Sequence, residues 1–183
     1  MATAGPNAGG TFASTDEDQV SDSAWGATGN AAASDDVYAA TTMNSELFTD
    51  RLDCTNFSLS VPVGATVDGI TVVVHRKTST TVRSPRDYRV QLIVGGLLSG
   101  TNKATATVWP TTEGTATYGG ATDKWGLTPT QAEVTASTFG VAISGQRNAG
   151  KGSAVLSIDY VTIAVDYTAA GGVKRLLMMG VGT

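Results

Sequence analysis

Side chains able to hold a proton, a metal or a phosphate are scarce in this chain. Its one histidine is His75 and its one cysteine is Cys54. A single imidazole excludes a multi-histidine metal site. A Ser-His-Asp set would have to recruit His75 without a G-x-S-x-G elbow to present the serine. The run SGQRNAGKGS places Gly145, Gly150 and Lys151 in the pattern G-x-x-x-x-G-K. A phosphate cradle needs a Ser or Thr after the lysine and a helix whose first amides face the anion. Residue 152 is Gly, and the following AVLSIDYVTIAV has the alternation of a strand. The run is therefore expected to be a flexible hairpin connection. Asp16, Glu17, Asp18, Asp22, Asp35 and Asp36 bring oxygens together in sequence. They lack the glycine and the closing glutamate of an EF-hand loop, so a solvated acidic surface is expected. Asp68 and Asp159 read as strand-entry residues. No catalytic residue, cofactor or metal ligand is assigned, and the chain is expected not to be an enzyme.

Aromatic residues offer a different chemistry. Trp25, Trp109 and Trp125 accompany five tyrosines. Such rings serve the core first, with their polar atoms finding partners at its margin. Tyr118-Gly119-Gly120 and Trp125-Gly126 read as loops, however, so Trp109, Tyr118 and Trp125 form a candidate platform for stacking a sugar.

The elements that would carry these residues follow a period of two. Ile70, Val72 and Val74 share one face of VDGITVVVHRKT. Tyr88, Val90, Leu92 and Val94 do the same in DYRVQLIV, as do Phe139, Val141 and Ile143 in FGVAIS and Val161, Ile163, Val165 and Tyr167 in SIDYVTIAVDYT. Alternation with β-branched residues, bounded by Gly, Pro and Asn, marks half-buried antiparallel strands. Residues 67–74 also echo residues 158–165 in residue type, which suggests two central, similarly placed strands. One helical turn is expected in LTPTQAEV, with Thr128 as cap, Pro129 at the first helical position and Gln131 closing the box. The expected fold is an all-β antiparallel sandwich of jelly-roll type with that one short helix in a connection. Residues 1–34 are expected to form an N-terminal arm or irregular lead-in, partly ordered by laying Phe12, Val20 and Trp25 on the body, residues 35–168 the sandwich and residues 169–183 a C-terminal assembly tail.

The chain has 183 residues and a net charge of −4. Its first fifty residues hold eight acids and no Lys or Arg, while Arg76, Lys77, Arg83, Arg86 and Arg89 cluster later. An acidic chain of this kind is not expected to bind nucleic acid. A solvated surface is the expected reading of this asymmetry, with contact between acidic and basic faces of neighbouring copies as the alternative. The start lacks a secretory leader and no apolar run has the length of a membrane span. With one cysteine no internal disulfide forms, and Cys54 is expected to be a small buried hydrophobe.

Asn56-Phe57-Ser58-Leu59-Ser60-Val61-Pro62-Val63-Gly64-Ala65-Thr66-Val67-Asp68-Gly69-Ile70 resembles a stretch common in structural proteins of tailed bacteriophages. TNKATATVWP, YGGATDKWGLTPTQAEVTASTFGVAIS and SIDYVTIAVDYT carry the same likeness, which covers about residues 24–168. The resemblance implies a β-sandwich module built into a virion, as a tail- or fibre-associated part or a head decoration. It implies no catalytic residues. The expected partners are further copies of the chain, a trimer by analogy, and other virion proteins. A carbohydrate-binding module for host attachment is the alternative, with a host surface glycan as its ligand.

The last thirteen residues, GGVKRLLMMGVGT, fit assembly. They can reach about 40 Å. Leu176, Leu177, Met178 and Met179 supply anchors of roughly 1.5–3 kcal/mol each when buried. Lys174 and Arg175 are suited to acids on an adjacent copy. These six residues are the candidate assembly interface, and the expected location is the virion, after synthesis in the host cytoplasm.

Overall fold

The alternating segments pair into two sheets that face each other across an apolar layer. A computed structural model describes residues 1–17 and 22–171. Its strands, in chain order, are β1 (Ala2–Ala8), β2 (Thr11–Thr15), β3 (Asp22–Ser23), β4 (Ala39–Met43), β5 (Phe48–Thr49) and β6 (Arg51–Thr55). They continue with β7 (Thr66–Thr78), β8 (Arg86–Val94), β9 (Leu97–Ser99), β10 (Gly114–Gly120), β11 (Gly140–Gln146) and β12 (Ala154–Thr168). One sheet runs β1-β12-β7-β10, with β4 also paired to β12. The other runs β2-β6-β11-β5-β3, with β8 on the far side of β11 and β9 beyond β8. Among the described residues the β3–β5 pairing is parallel and the other strand pairings are antiparallel.

The two segments that echo each other in sequence are the adjacent central strands of the first sheet. Ile70, Val72 and Val74 of β7 lie opposite Val165, Ile163 and Val161 of β12. All six are fully buried, as are Val90 and Leu92 of β8, Val141 and Ile143 of β11 and Leu52 and Cys54 of β6. Removing such side chains from water is what holds the sheets face to face. Gly140 permits one close approach, because a Cβ there would sit 1.9 Å from the Cys54 carbonyl oxygen on β6. Burial pushes the Cys54 thiol well above its ordinary pKa, which keeps it in the unreactive neutral form.

Three expectations need correction. The N-terminal segment is not an irregular lead-in: Ala2–Ala8 pairs with the second half of β12 and Thr11–Thr15 pairs with β6, while Trp25 is buried as a ring laid on the body. Small side chains hide this, since backbone hydrogen bonds rather than apolar bulk hold an edge strand. The helix, α1 (Gln131–Thr135), starts two residues later than expected. Thr130 caps it and Glu133 returns the bond, a charge-assisted version of the box. Gln131 instead donates to the Val61 carbonyl at 2.9 Å. The glycine-rich run at 147–153 joins β11 of one sheet to β12 of the other, so it is a crossover between sheets and not a hairpin. Its buried Arg147 donates to the carbonyls of Glu46, Asn44 and Gly152, using the cation to tie loop backbone together. No helix among the described residues is long and apolar enough to cross a membrane.

Candidate functional site

The three rings expected to form a sugar platform lie inside the molecule. Trp109 and Trp125 are 0% exposed and Tyr118 is 4% exposed. Stacking needs an open ring face, and none of the three has one. Trp125 donates from Nε1 to the Ile70 carbonyl at 2.9 Å. Gly119, at φ +74°, makes room for that indole, since a Cβ there would lie 2.5 Å from Trp125 Nε1. Lys103 lies 5.4 Å from the Trp125 ring centre and pairs with Asp123 at 2.7 Å. The hydrogen bond from Lys103 holds the Asp123 carboxyl below its usual range.

Trp109 and Tyr118 belong to a polar cluster that bridges the sheets. Alternation on β7 turns Arg76 inward, where it meets Asp87 from β8. The Arg76 guanidinium donates to the Asp87 carboxylate and to the Tyr118 hydroxyl. The Tyr118 hydroxyl donates to Asp87 Oδ2 at 2.9 Å, and Trp109 Nε1 donates to Asp87 Oδ1 at 2.8 Å. The Thr105 amide and hydroxyl complete the set, each 3.0 Å from Asp87 Oδ2. The guanidinium also lies 4.7 Å from the Trp109 ring centre. Burial, then the charge of Asp87, raises the Tyr118 pKa far above its ordinary value. Each partner is held by several others, so this arrangement fixes geometry and leaves no free acid or base for chemistry. An open recess of about 280 Å³ lies over it, lined by Arg76, Thr105, Pro110, Thr117 and Tyr118 among others. That volume is at the lower limit for a small-molecule site.

The basic cluster and the acidic N-terminal segment meet within the chain. Arg89 of β8 donates to Glu17, and Arg51 of β6 lies 4.0 Å from the same carboxylate. Part of the charge asymmetry seen in the sequence is thus an intramolecular contact.

A second polar cluster lies on the outer face of the first sheet. His75 of β7, Glu113 just before β10 and Asp159 of β12 bring one ligand atom each within 4.8 Å of one another. His75 Nδ1 is 3.4 Å from Glu113 Oε1. Asp159 owes its position to an irregularity. Ile158 lies opposite Arg76 and Tyr160 opposite His75, so Asp159 is an extra residue in β12. Such a bulge redirects a side chain that regular pairing would place elsewhere. Asp159 is 1% exposed. Its Oδ1 accepts from the Asp35 amide at 3.4 Å, while its Oδ2 is buried without a hydrogen-bond partner. Burial, then the charges of Glu113, Asp35 and Asp36, raises its pKa above the usual aspartate value. Tyr160 sets its ring edge-on to His75, 5.6 Å between centres. Tyr38 donates to Asp36 at 2.9 Å and carries Lys77 on its ring at 3.6 Å. Its own pKa is driven far upward by burial and by its bonds to Asp36 and Glu113. Among the described residues, this trio is the group of ligand-bearing side chains that could hold a metal.

Lys174, Arg175, Leu176, Leu177, Met178 and Met179, the candidate assembly interface, lie outside the described residues. Sequence reasoning read Asp159 as a strand-entry residue and did not bring it together with His75. The available signal was a phase slip in β12: Leu156 and Ile158 point inward, and so do Val161 and Ile163, leaving two residues between the pairs instead of one. Comparison of the chain with protein families, with curated proteins and with solved structures returns no match.

Proposed function

We propose that this chain is a non-enzymatic structural subunit of a tailed-bacteriophage virion, a tail- or fibre-associated or capsid-surface component, that oligomerises through its terminal segments. The observation that carries this reading is the order of the strands. A jelly roll is a long antiparallel ribbon rolled up, so the first of its eight strands pairs with the last, the second with the seventh, and so inward. Taking β4, β6, β7, β8, β9, β10, β11 and β12 as those eight, the ribbon pairs are β4–β12, β6–β11, β7–β10 and β8–β9, and all four occur. The closing pairs β12–β7 and β11–β8 occur as well. Jelly rolls are a frequent architecture of virion shells. This is support by analogy of fold, and it agrees with the phage-like sequence runs in β7, β10, β11 and β12.

The ends add a physical argument. Ala2 lies opposite Tyr167, so the start of β1 and the end of β12 lie at one end of the first sheet. The apolar run that follows β12 in the sequence, Leu176 to Met179, has area enough to anchor a neighbouring copy. The test is sedimentation of the full chain beside a chain ending at residue 170. The expected result is an oligomer for the first and a monomer for the second. Equal association states would remove the role given to the terminal segment, and a monomeric full chain at high concentration would remove self-assembly altogether.

A further inference from the structure

We propose that His75, Glu113 and Asp159 form a binding site for one divalent transition-metal ion of the zinc class, which would clamp three segments of the first sheet on its outer face. The proposal is independent of the virion reading.

The argument starts from Asp159. A buried carboxylate oxygen without a donor is costly, and proteins satisfy such groups with a hydrogen bond or a cation. The contact of His75 Nδ1 with Glu113 Oε1 gives Glu113 a partner and does nothing for Asp159 Oδ2. The surroundings make matters worse, because Asp35, Asp36 and Glu113 all repel charge on Asp159. Lys77, a nearby cation, is engaged with the Tyr38 ring. A divalent ion removes the repulsion and completes the oxygen.

The geometry suits it. Ligands at about 2.1 Å around a tetrahedral ion stand about 3.4 Å apart. His75 Nδ1 and Glu113 Oε1 already have a separation of 3.4 Å, and the whole trio spans no more than 4.8 Å. The side chain of Glu113 is 25% exposed, which leaves an entry path and room for water as a fourth ligand. The ligand set selects the ion. Imidazole with two carboxylates suits zinc and its neighbours, whereas Ca²⁺ seeks six to eight oxygens and Mg²⁺ keeps most of its water. Support around the ligands is also present: Tyr160 packs edge-on to the imidazole and the Asp35 amide holds Asp159 Oδ1.

The experiment uses the full chain without a histidine tag, stripped with EDTA and dialysed. Titration with ZnCl₂ is followed by calorimetry, by thermal unfolding and by ¹⁵N NMR of the imidazole, which is unambiguous because His75 is the one histidine. The expected result is one Zn²⁺ per chain, a shift of the imidazole nitrogen signals, and a Tm raised by roughly 5–10 °C when free Zn²⁺ is about a hundredfold above Kd. Asp159→Asn, His75→Gln and Glu113→Gln should each weaken binding by roughly tenfold or more. Glu113 is the safeguard against a folding defect, since its side chain is partly in solvent. Absence of saturable Zn²⁺ binding overturns the proposal. So do imidazole signals that Zn²⁺ leaves in place, affinity unchanged in Glu113→Gln, or a response to CaCl₂ or MgCl₂ with none to ZnCl₂.

Discussion

His75 and Arg76 are consecutive on β7 and lead into two opposite kinds of polar cluster. Arg76 turns inward, and its charge is met by Asp87, whose oxygens also take bonds from Tyr118, Trp109 and Thr105. His75 turns outward, into a set where Asp159, Glu113, Asp35 and Asp36 crowd together and Asp159 Oδ2 has no donor. One cluster is electrically closed by the chain itself and the other is not. Burial of charge alone therefore does not distinguish a structural brace from a binding site; the completeness of the hydrogen bonding does.

The largest test of this contrast is Asp87→Ala, which leaves Arg76 charged and buried and the Trp109 Nε1 without its acceptor. Urea unfolding should show a loss of about 3–5 kcal/mol. A loss below about 1 kcal/mol would mean that the inner cluster is not a closed unit. The outer cluster should respond with the opposite sign. In EDTA at neutral pH, Asp159→Asn removes a disfavoured charge while keeping an acceptor for the Asp35 amide, and should stabilise the protein by about 1–3 kcal/mol. In saturating Zn²⁺ the order should reverse, with the wild-type chain the more stable.

The same contrast has a pH signature. The folded-state pKa of Asp159 is raised, so the folded protein holds that proton more tightly than the unfolded chain. Its contribution is fully present below the ordinary aspartate pKa and is lost as pH rises through the raised value. Asp123 and Glu133 are lowered and act in the other direction, losing stability as pH falls. Subtracting the metal-free Asp159→Asn profile from that of the wild type should therefore leave a curve that declines with rising pH; a flat difference would contradict the raised pKa. The smallest effect belongs to a control. Thr130→Ala removes the cap of α1 and should cost about 0.5–1 kcal/mol, equally with and without Zn²⁺.

Period-two patterning in the sequence makes the sandwich legible, because one buried face per strand imposes it. Ile70, Val72 and Val74 against Val161, Ile163 and Val165 are an example, and the echo between their segments does mark the central pair. The edge strand Ala2–Ala8 is not legible in that way, since its side chains add little area and its pairing is backbone to backbone. Nor are the roles of Trp109 and Tyr118, which depend on Asp87, more than twenty residues away in the chain. Glu113, His75 and Asp159 come from three segments far apart in the chain, and a one-residue phase slip at Asp159 is the one local trace of their meeting.

The pairing of Ala2 with Tyr167 also makes the body nearly a ring. A short linker between those positions would close the loop without crossing the core, and the chain could then be opened at the 147–153 crossover to give a circular permutant with the same sheets. It follows that a loop inserted at residue 2 or at residue 167 would emerge beside the other position, since the two backbones are neighbours at one end of the first sheet.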